Sequence, residues 1–580
     1  MQTKESKDIQ AYPSLNLAIE PKEMKYRFNW NAPILTSPHD PKTIYHAANV
    51  LLKTTDGGMS WQPISPDLTR NEKSKQGPGG GPMTNEGAGG ENYNTIYYVI
   101  ESAREKGVIW TGSDCGLLHV TMDGGQNWKN ITPPGLPESL INSIELSPHD
   151  NGTAFISATR YKLNDYSSYT YKTTDYGKTW IKITEGVQPD DFIRVIREDK
   201  KIKGLLYAGA ERGFYVSMNG GTNWSKMQLN LPVVPVTDLA FRDNDLIAST
   251  AGRAFWILDD LGPIQQSATG MTFSGLKLFT PKPAYKFGGG SGLAGLSMGA
   301  GVGQNAPEGV ILDYYLPELT GKDTLKLDIL DVSGKLIRSY TSQKDPGFKS
   351  YPGGPSPAQV LPAKKGMNRF LWDFKGNGIT PDIPGAFVWG DYRGNKLPPG
   401  EYKARLYVNN LETSTTITVL QDPNLNVNPA DWKIQQETLA HMNATISDMH
   451  KSVNDLRKVS AQLDHMETVL KDAPGSKDVL EAGQSLNKKI KDWESTIVET
   501  RIQNGQDVIN WPSKLNAEYF NLRALADSHD PRITQGMKQR LSDLDSQWAL
   551  RKTELAEIEK SIQAYNTLYK NGNFPALRYE

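Results

Sequence analysis

Apolar positions follow two different periods along this chain. Up to about residue 421 they come in short runs or alternate with polar ones. Leu325, Leu327 and Ile329, set around Lys326 and Asp328, show the alternation that marks a half-buried strand. Beyond residue 428 the spacing becomes three and four. Leu439, Met442, Ile446, Met449, Val453 and Leu456 form one stripe, continued by Leu463, Met466 and Leu470. Leu486, Ile490, Trp493 and Ile497 form a second, and Met537, Leu541, Leu544, Trp548, Leu555, Ile558, Ile562 and Tyr565 a third. Such stripes predict amphipathic helices, and breakers at Pro474-Gly475 and Asp530-Pro531 separate them. With a shorter helix about Ser513 to Ala526, the expectation for 422–580 is an α-helical bundle or coiled-coil hairpin. Its methionines read as core filler.

Between residues 1 and 264, turn signals alternate with short strands, as in an all-β fold. One octamer punctuates this region four times: Thr54-Thr55-Asp56-Gly57-Gly58-Met59-Ser60-Trp61, Thr121 to Trp128, Thr173 to Trp180 and Ser217 to Trp224. The first residue is Ser or Thr. The third is Asp56, Asp123, Asp175 or Asn219, each able to accept backbone N–H bonds in an Asx-turn. The fifth is Gly58, Gly125, Gly177 or Gly221, which supplies a backbone angle that a Cβ resists. The eighth is Trp61, Trp128, Trp180 or Trp224, which opens the next strand with a large apolar face. The octamers are 67, 52 and 44 residues apart, near the period of propeller blades with loop insertions. A fifth unit, Asp245 to Asp260, matches the strands and has no octamer, so about five blades are expected.

The octamer resembles the Asp-box, the bacterial neuraminidase repeat of sialidases, xyloglucanases and the sortilin ectodomain. There it lies between the third and fourth strands of a propeller blade and is structural. Further stretches are Tyr26-Arg27-Phe28-Asn29-Trp30-Asn31-Ala32-Pro33, the recurrent Ser37-Pro38-His39-Asp40 and Ser147-Pro148-His149-Asp150, and Gly252-Arg253-Ala254-Phe255-Trp256-Ile257-Leu258-Asp259-Asp260. With these, essentially the whole chain is similar to a large bacterial group labelled sortilin-like or "glycosyl hydrolase". The resemblance implies a longer parent with more blades and an upstream secretion signal, hence a periplasmic, cell-surface or secreted location. Met1 to Gln10 by itself is polar, without an apolar signal core, which taken alone reads as cytoplasmic.

Composition places the remaining boundaries. Residues 71–95 form a glycine-rich loop that lacks the Gly-Lys-Ser/Thr of a phosphate-binding loop. Residues 265–310 read as a Gly-rich linker. Residues 311–421 read as a β-sandwich that looks like the immunoglobulin-like modules trailing bacterial exported enzymes. The whole is a mainly β multidomain chain with a helical C-terminus.

Candidate chemistry is sparse. A net charge of −1 leaves no electrostatic footprint for nucleic acid. No run of 18 apolar residues predicts a membrane span. The single cysteine, Cys115, excludes an internal disulfide. The eight histidines show no metal-ligand spacing, so no metal or cofactor is expected. No Gly-x-Ser-x-Gly marks a serine hydrolase. Glycoside hydrolysis needs two carboxylates across a sugar cleft, and the candidates are Glu91, Asp114, Asp165 and Glu211. Asp114 and Glu211 hold equivalent places in two blades, with Arg253 in that place in the fifth unit. They would line a channel, or else be solvated turn residues. Binding asks for less: Trp30, Tyr45, Tyr93, Arg160, Tyr161, Tyr166, Tyr169 and Arg253 offer the aromatic and arginine anchors of an interface. The functional expectation is a propeller that binds or scaffolds a peptide, protein or glycan. The alternatives are a glycoside hydrolase and a structural subunit that docks to a missing propeller half or a partner chain.

Overall fold

The computed structural model describes residues 6–77, 90–268, 275–287, 307–320, 323–388, 390–572 and 574. The chain divides into two compact units, Met1–Thr272 and Phe273–Glu580.

The described residues of the first unit form five antiparallel sheets in chain order. They comprise β1 (Ile34–Thr36), β2 (Ile44–Ala47), β3 (Leu51–Thr54) and β4 (Gln62–Pro63); β5 (Ile96–Glu101), β6 (Ile109–Ser113), β7 (Leu118–Thr121) and β8 (Lys129–Asn130); β9 (Leu140–Leu146), β10 (Ala154–Arg160), β11 (Asp165–Thr173) and β12 (Ile181–Lys182); β13 (Ile193–Glu198), β14 (Leu206–Ala210), β15 (Gly213–Ser217) and β16 (Ser225–Lys226); and β17 (Val236–Arg242), β18 (Asp245–Thr250) and β19 (Phe255–Leu258). Each sheet is a meander, and helix α1 (Gly262–Ala268) follows the last. Apolar layers join each sheet to the next. Tyr45 and Leu51 meet Ile96 and Ile109; Trp110 and Val120 meet Ile156 and Ala158; Phe155 meets Ile196 and Tyr215; Tyr207 and Val216 meet Leu239 and Leu246. Each fully buried aliphatic side chain in these layers contributes about 1.5–3 kcal/mol.

Every octamer connects the third strand of a sheet to the fourth, and its bonds repeat. The first residue's hydroxyl accepts the fifth residue's N–H at 2.9–3.0 Å. The third residue's Oδ1 accepts the seventh residue's N–H at 2.9–3.0 Å. Those bonds, with the seventh side chains of Ser60, Asn127 and Thr179, hold Asp56, Asp123 and Asp175 at about 2. The tryptophans reach further than a local turn. Trp128, Trp180 and Trp224 donate their indole N–H to the carbonyls of Ile64, Ile131 and Ile183, at 2.8, 2.7 and 2.9 Å. Each acceptor is the residue just after the preceding sheet's fourth strand. Beside each indole the octamer glycine lies on that same isoleucine. The octamer is therefore a staple between sheets. In the first sheet, Ile9 of the N-terminal segment takes the isoleucine's place and accepts from Trp61 at 2.8 Å. His39 and His149 act similarly, each pairing through Nε2 with the next sheet's carbonyl, Ser102 or Asp199, at 2.7 Å.

The second unit opens with β20 (Lys277–Leu278), β21 (Ala284–Lys286), β22 (Val310–Leu316), β23 (Leu325–Leu330), β24 (Leu336–Thr341), β25 (Gly366–Trp372), β26 (Gly400–Val408) and β27 (Leu411–Gln421). They form two sheets, ordered β20-β22-β25 and β21-β27-β26-β23-β24, over one shared core that includes Leu312, Tyr314, Leu327, Trp372 and Leu406. The expected linker of 265–310 is corrected in two places: α1 covers its start, and β20 and β21 within it belong to the sandwich. Those strands are two and three residues long, too short to show a period. Residues 288–306, its most glycine-rich part, lie outside the described residues.

Helices α2 (Pro429–Leu470), α3 (Lys477–Ile497), α4 (Leu515–Ala526) and α5 (Gln535–Asn571) follow. Asn428 caps α2 in a reciprocal capping box with Asp431. Met442 and Met449 are fully buried beside Leu439 and Ile446. The expected boundary at 421 is also corrected. Ile379, Ile383, Val388 and Tyr392 leave the sandwich to join the helical core. Arg523 of α4 donates to the carbonyls of Asp391 and Arg393 at 2.9 and 2.6 Å. The sandwich's long β25–β26 connection and the helices thus share one core. Among the described residues no helix is long and apolar enough to cross a membrane.

Candidate functional site

The first three sheets of the first unit surround a cavity of about 250 Å³. One wall is built by two loops that cross. Asn29 bridges Glu91, and Trp30 N–H donates to the Gly90 carbonyl at 2.6 Å. Asn92 Nδ2 donates to the Phe28 carbonyl at 2.7 Å and Asn31 Nδ2 to the Tyr97 hydroxyl at 3.2 Å. A Cβ on Gly90 would lie 2.7 Å from the Trp30 ring, so glycine lets the indole rest flat on the backbone. Trp30 remains 69% exposed. Behind these loops, buried Arg27 ties the Asn94 carbonyl to Asp67, at 3.2 and 2.6 Å.

The opposite wall carries Glu138, Ser139, Thr159, Arg160 and Tyr161. Tyr161 stacks on Phe192 with centroids 5.5 Å apart, and the Arg194 guanidinium lies 4.9 Å from the Tyr161 centroid. Arg160 donates to the Glu138 carbonyl at 2.9 Å and pairs with Asp165. The hydroxyls of Ser139 and Thr159 are buried and have no hydrogen-bond partner among the described residues, a situation that water or a ligand usually relieves.

The carboxylates behave differently from one another. Asp114, 7% exposed, accepts from the N–H and hydroxyl of Thr95 at 2.9 and 2.8 Å. Burial pushes it up to about 7 despite those bonds and nearby Arg27. Glu138 feels its own desolvation, yet Lys75 and Tyr93 hold it below its ordinary value. Lys75 Nζ lies 2.8 Å from its Oε1. Asp165 is likewise held low against its burial, by Ser167, Tyr169 and Arg160.

The cavity brings together six residues singled out from the sequence: Trp30, Glu91, Tyr93, Asp114, Arg160 and Tyr161. Several of the sequence readings are corrected. Asp114 is not a solvated turn residue. Asp165 is an ion-pair partner behind Arg160 rather than a cavity carboxylate. Glu211 grips Arg194 at 2.6 Å and so supports Tyr161 from behind. Tyr93 is only 2% exposed, and Tyr45 belongs to the core at 4%. The ring of charged residues does not form. Asp114 N–H donates to Thr95, Glu211 N–H to Phe192 and Ala251 N–H to Pro235, each acceptor just ahead of its sheet's first strand. Ala251, not Arg253, therefore stands in the fifth position, and Arg253 is exposed outside the cavity. Sequence reasoning missed Asn29, Asn31, Tyr97, Glu138, Ser139 and Thr159. Asn29 and Asn31 fall in the Tyr26 to Pro33 stretch, which pointed to a resemblance and not to a site, and no local motif marks the other four.

The chain matches no known protein family profile. A probable oligoxyloglucan-reducing end-specific xyloglucanase of Neosartorya fischeri is 24% identical over 173 residues, which is 29% of this chain and 18% of that protein. The chain thus aligns with less than a fifth of that relative's length. Among solved structures, the GH74 xyloglucanase of Xanthomonas campestris is 15% identical over 66% of this chain and 63% of its own, with a TM-score of 0.33. An ancestral GH74 enzyme is 13% identical, covering 57% and 40%, with a TM-score of 0.31. YCF48 bound to D1 peptide is 16% identical, covering 38% and 62%, with a TM-score of 0.26.

Proposed function

We propose that the first unit is a propeller that binds a short stretch of glycan in the cavity between Trp30 and Tyr161. The observation that carries this is the Trp30 platform, an indole laid on Gly90 with its outer face open at the cavity. A flat apolar ring suits the C–H face of a sugar. The Ser139 and Thr159 hydroxyls, which no described residue satisfies, suit its hydroxyl groups. Glu138 and Arg160 already have protein partners, which favours a neutral ligand over a charged one. The likeness to a protein named as a xyloglucanase points to the same ligand class. A glycan ligand agrees with a periplasmic, cell-surface or secreted location.

Glycoside hydrolysis is the second reading, favoured by Asp114 at about 7 in a cavity that Glu91 also lines. Against it, both Asp114 oxygens already accept from Thr95.

Titration with xyloglucan oligosaccharides and with arrayed glycans tests the proposal. Saturable binding that Trp30→Ala weakens about tenfold or more, without lowering the melting temperature, is expected. Binding that ignores Trp30, or binding of peptides alone, would overturn it. Release of shortened sugars that stops in Asp114→Asn would establish the second reading.

A further inference from the structure

Four sheet-to-sheet junctions of the first unit should carry a staple: among the described residues three do, and the fourth does not. At the junctions of sheets one to four, an octamer Trp donates to the residue after the preceding fourth strand, Ile64, Ile131 or Ile183. Met227 is the matching residue after β16. Its N–H donates to Phe214 just as the isoleucines donate to Leu51, Leu118 and Thr170. The fifth sheet has no octamer, and among the described residues no indole N–H donates to the Met227 carbonyl. Trp256, the nearest by place, donates instead to the carbonyl of Arg253 at 3.0 Å. A groove of about 60 Å³ remains, walled by Phe214, Met227, Leu229, Leu231, Ala248 and Trp256. Among the described residues the fifth sheet also has three strands where the others have four. Its outer strand β19 presents Phe255 and Ile257, 76% and 59% exposed.

The missing element is thereby specified. In each complete sheet, Trp is followed at once by a two-residue fourth strand. Those two residues pair with the penultimate residues of the third strand: Leu52 and Lys53, His119 and Val120, Tyr171 and Lys172, Tyr215 and Val216. The matching residues of β19 are Trp256 and Ile257. We propose that this edge takes an extended segment of a partner chain with the octamer pattern. Its Trp would enter the groove beside Met227 and its next two residues would pair with β19. The partner is recognised as the other sheets recognise their own fourth strands, by a ladder of backbone bonds and one aromatic anchor. Ile9 shows that such a contact does not require a complete neighbouring sheet, since a strandless segment satisfies Trp61.

A labelled synthetic peptide copying residues 217–226 of this chain tests the idea, titrated into the full protein to about 1 mM. Saturable binding is expected, with amide exchange slowed only around 227–231 and 255–258. Replacing the peptide's tryptophan (Trp224→Ala) should weaken it about tenfold or more. In the protein, Leu229→Asn should weaken it as well. Leu229 is exposed with φ 46°, a backbone that Asn adopts readily, so this variant strips the groove wall while keeping the fold. Absence of saturable binding, equal binding of the Trp-less peptide, indifference to Leu229→Asn, or protection elsewhere would each overturn the proposal.

Discussion

Two neighbouring glycines in one octamer allow the staple to be weighed. Gly124 and Gly125 both have positive φ, +73° and +102°. An added Cβ at Gly124 meets nothing within 4 Å, whereas at Gly125 it meets the Ile64 carbonyl oxygen at 2.6 Å and the Ile64 Cβ at 2.9 Å. Tyr176 occupies the place of Gly124 in the third octamer with φ 60°, so a side chain fits there. Gly124→Ala bears the left-handed cost of about 1–2 kcal/mol, partly offset by about 0.4–1 kcal/mol from a less flexible unfolded chain. Gly125→Ala bears the same terms and also drives a methyl into the backbone of the preceding sheet, where overpacking costs about 1–3 kcal/mol. The difference between the variants is therefore about 2 kcal/mol, or roughly 4–8 °C in melting temperature for a unit of this size. Urea and thermal unfolding followed by tryptophan fluorescence would measure it. Equal stabilities within about 0.5 kcal/mol would refute the staple, since the Ile64 backbone contact then adds nothing to the cost at Gly125.

Asp114→Asn should change the pH dependence of stability. The native carboxyl holds its proton to about 7 and the unfolded one to 3.8. The native state thus binds more protons in that window, so this residue's contribution is present below pH 4 and is lost as pH rises to 7. The loss is at most about 4 kcal/mol. Unfolding midpoints at pH 4 and pH 7 should therefore differ less in the variant, and an unchanged pH profile would contradict the assignment. In the second unit, Arg523→Met should destabilise by about 3 kcal/mol or more, at about 1–3 kcal/mol for each buried acceptor left without a donor. It strands the Asp391 and Arg393 carbonyls and the Asn443 Oδ1 that Arg523 satisfies. A cost below about 1 kcal/mol in chemical unfolding would show that water replaces the guanidinium.

The sequence carried whatever is encoded within a few residues. Alternation at 325–329 and the stripes from Leu439 to Tyr565 foretold strands and helices, because period two and period 3.6 are written into neighbouring side chains. The octamer announced its turn, since Thr54, Asp56, Gly58 and Ser60 bond to one another. Strands as short as Lys277–Leu278 left no period, and the Ile379–Tyr392 stretch could not declare that its core lay among the helices. Trp30, Arg160 and Tyr161 could be picked by residue type. That they share a cavity with Glu138 and Thr159, while Arg253 does not, depended on which loops cross.

By itself, then, the sequence determined the number of repeating units, their turn chemistry and the switch from sheet to helix. Only the tertiary structure decided that the repeat is a staple between sheets, so that the octamer missing from the fifth unit leaves one junction without it. It alone also decided that one carboxylate, Asp114, is buried at a cavity while its counterpart, Glu211, props an arginine. The reason is distance along the chain. Trp128 finds its acceptor 64 residues away and Trp224 finds its own 41 away. A contact of that separation follows from how whole sheets pack, and no local pattern records it.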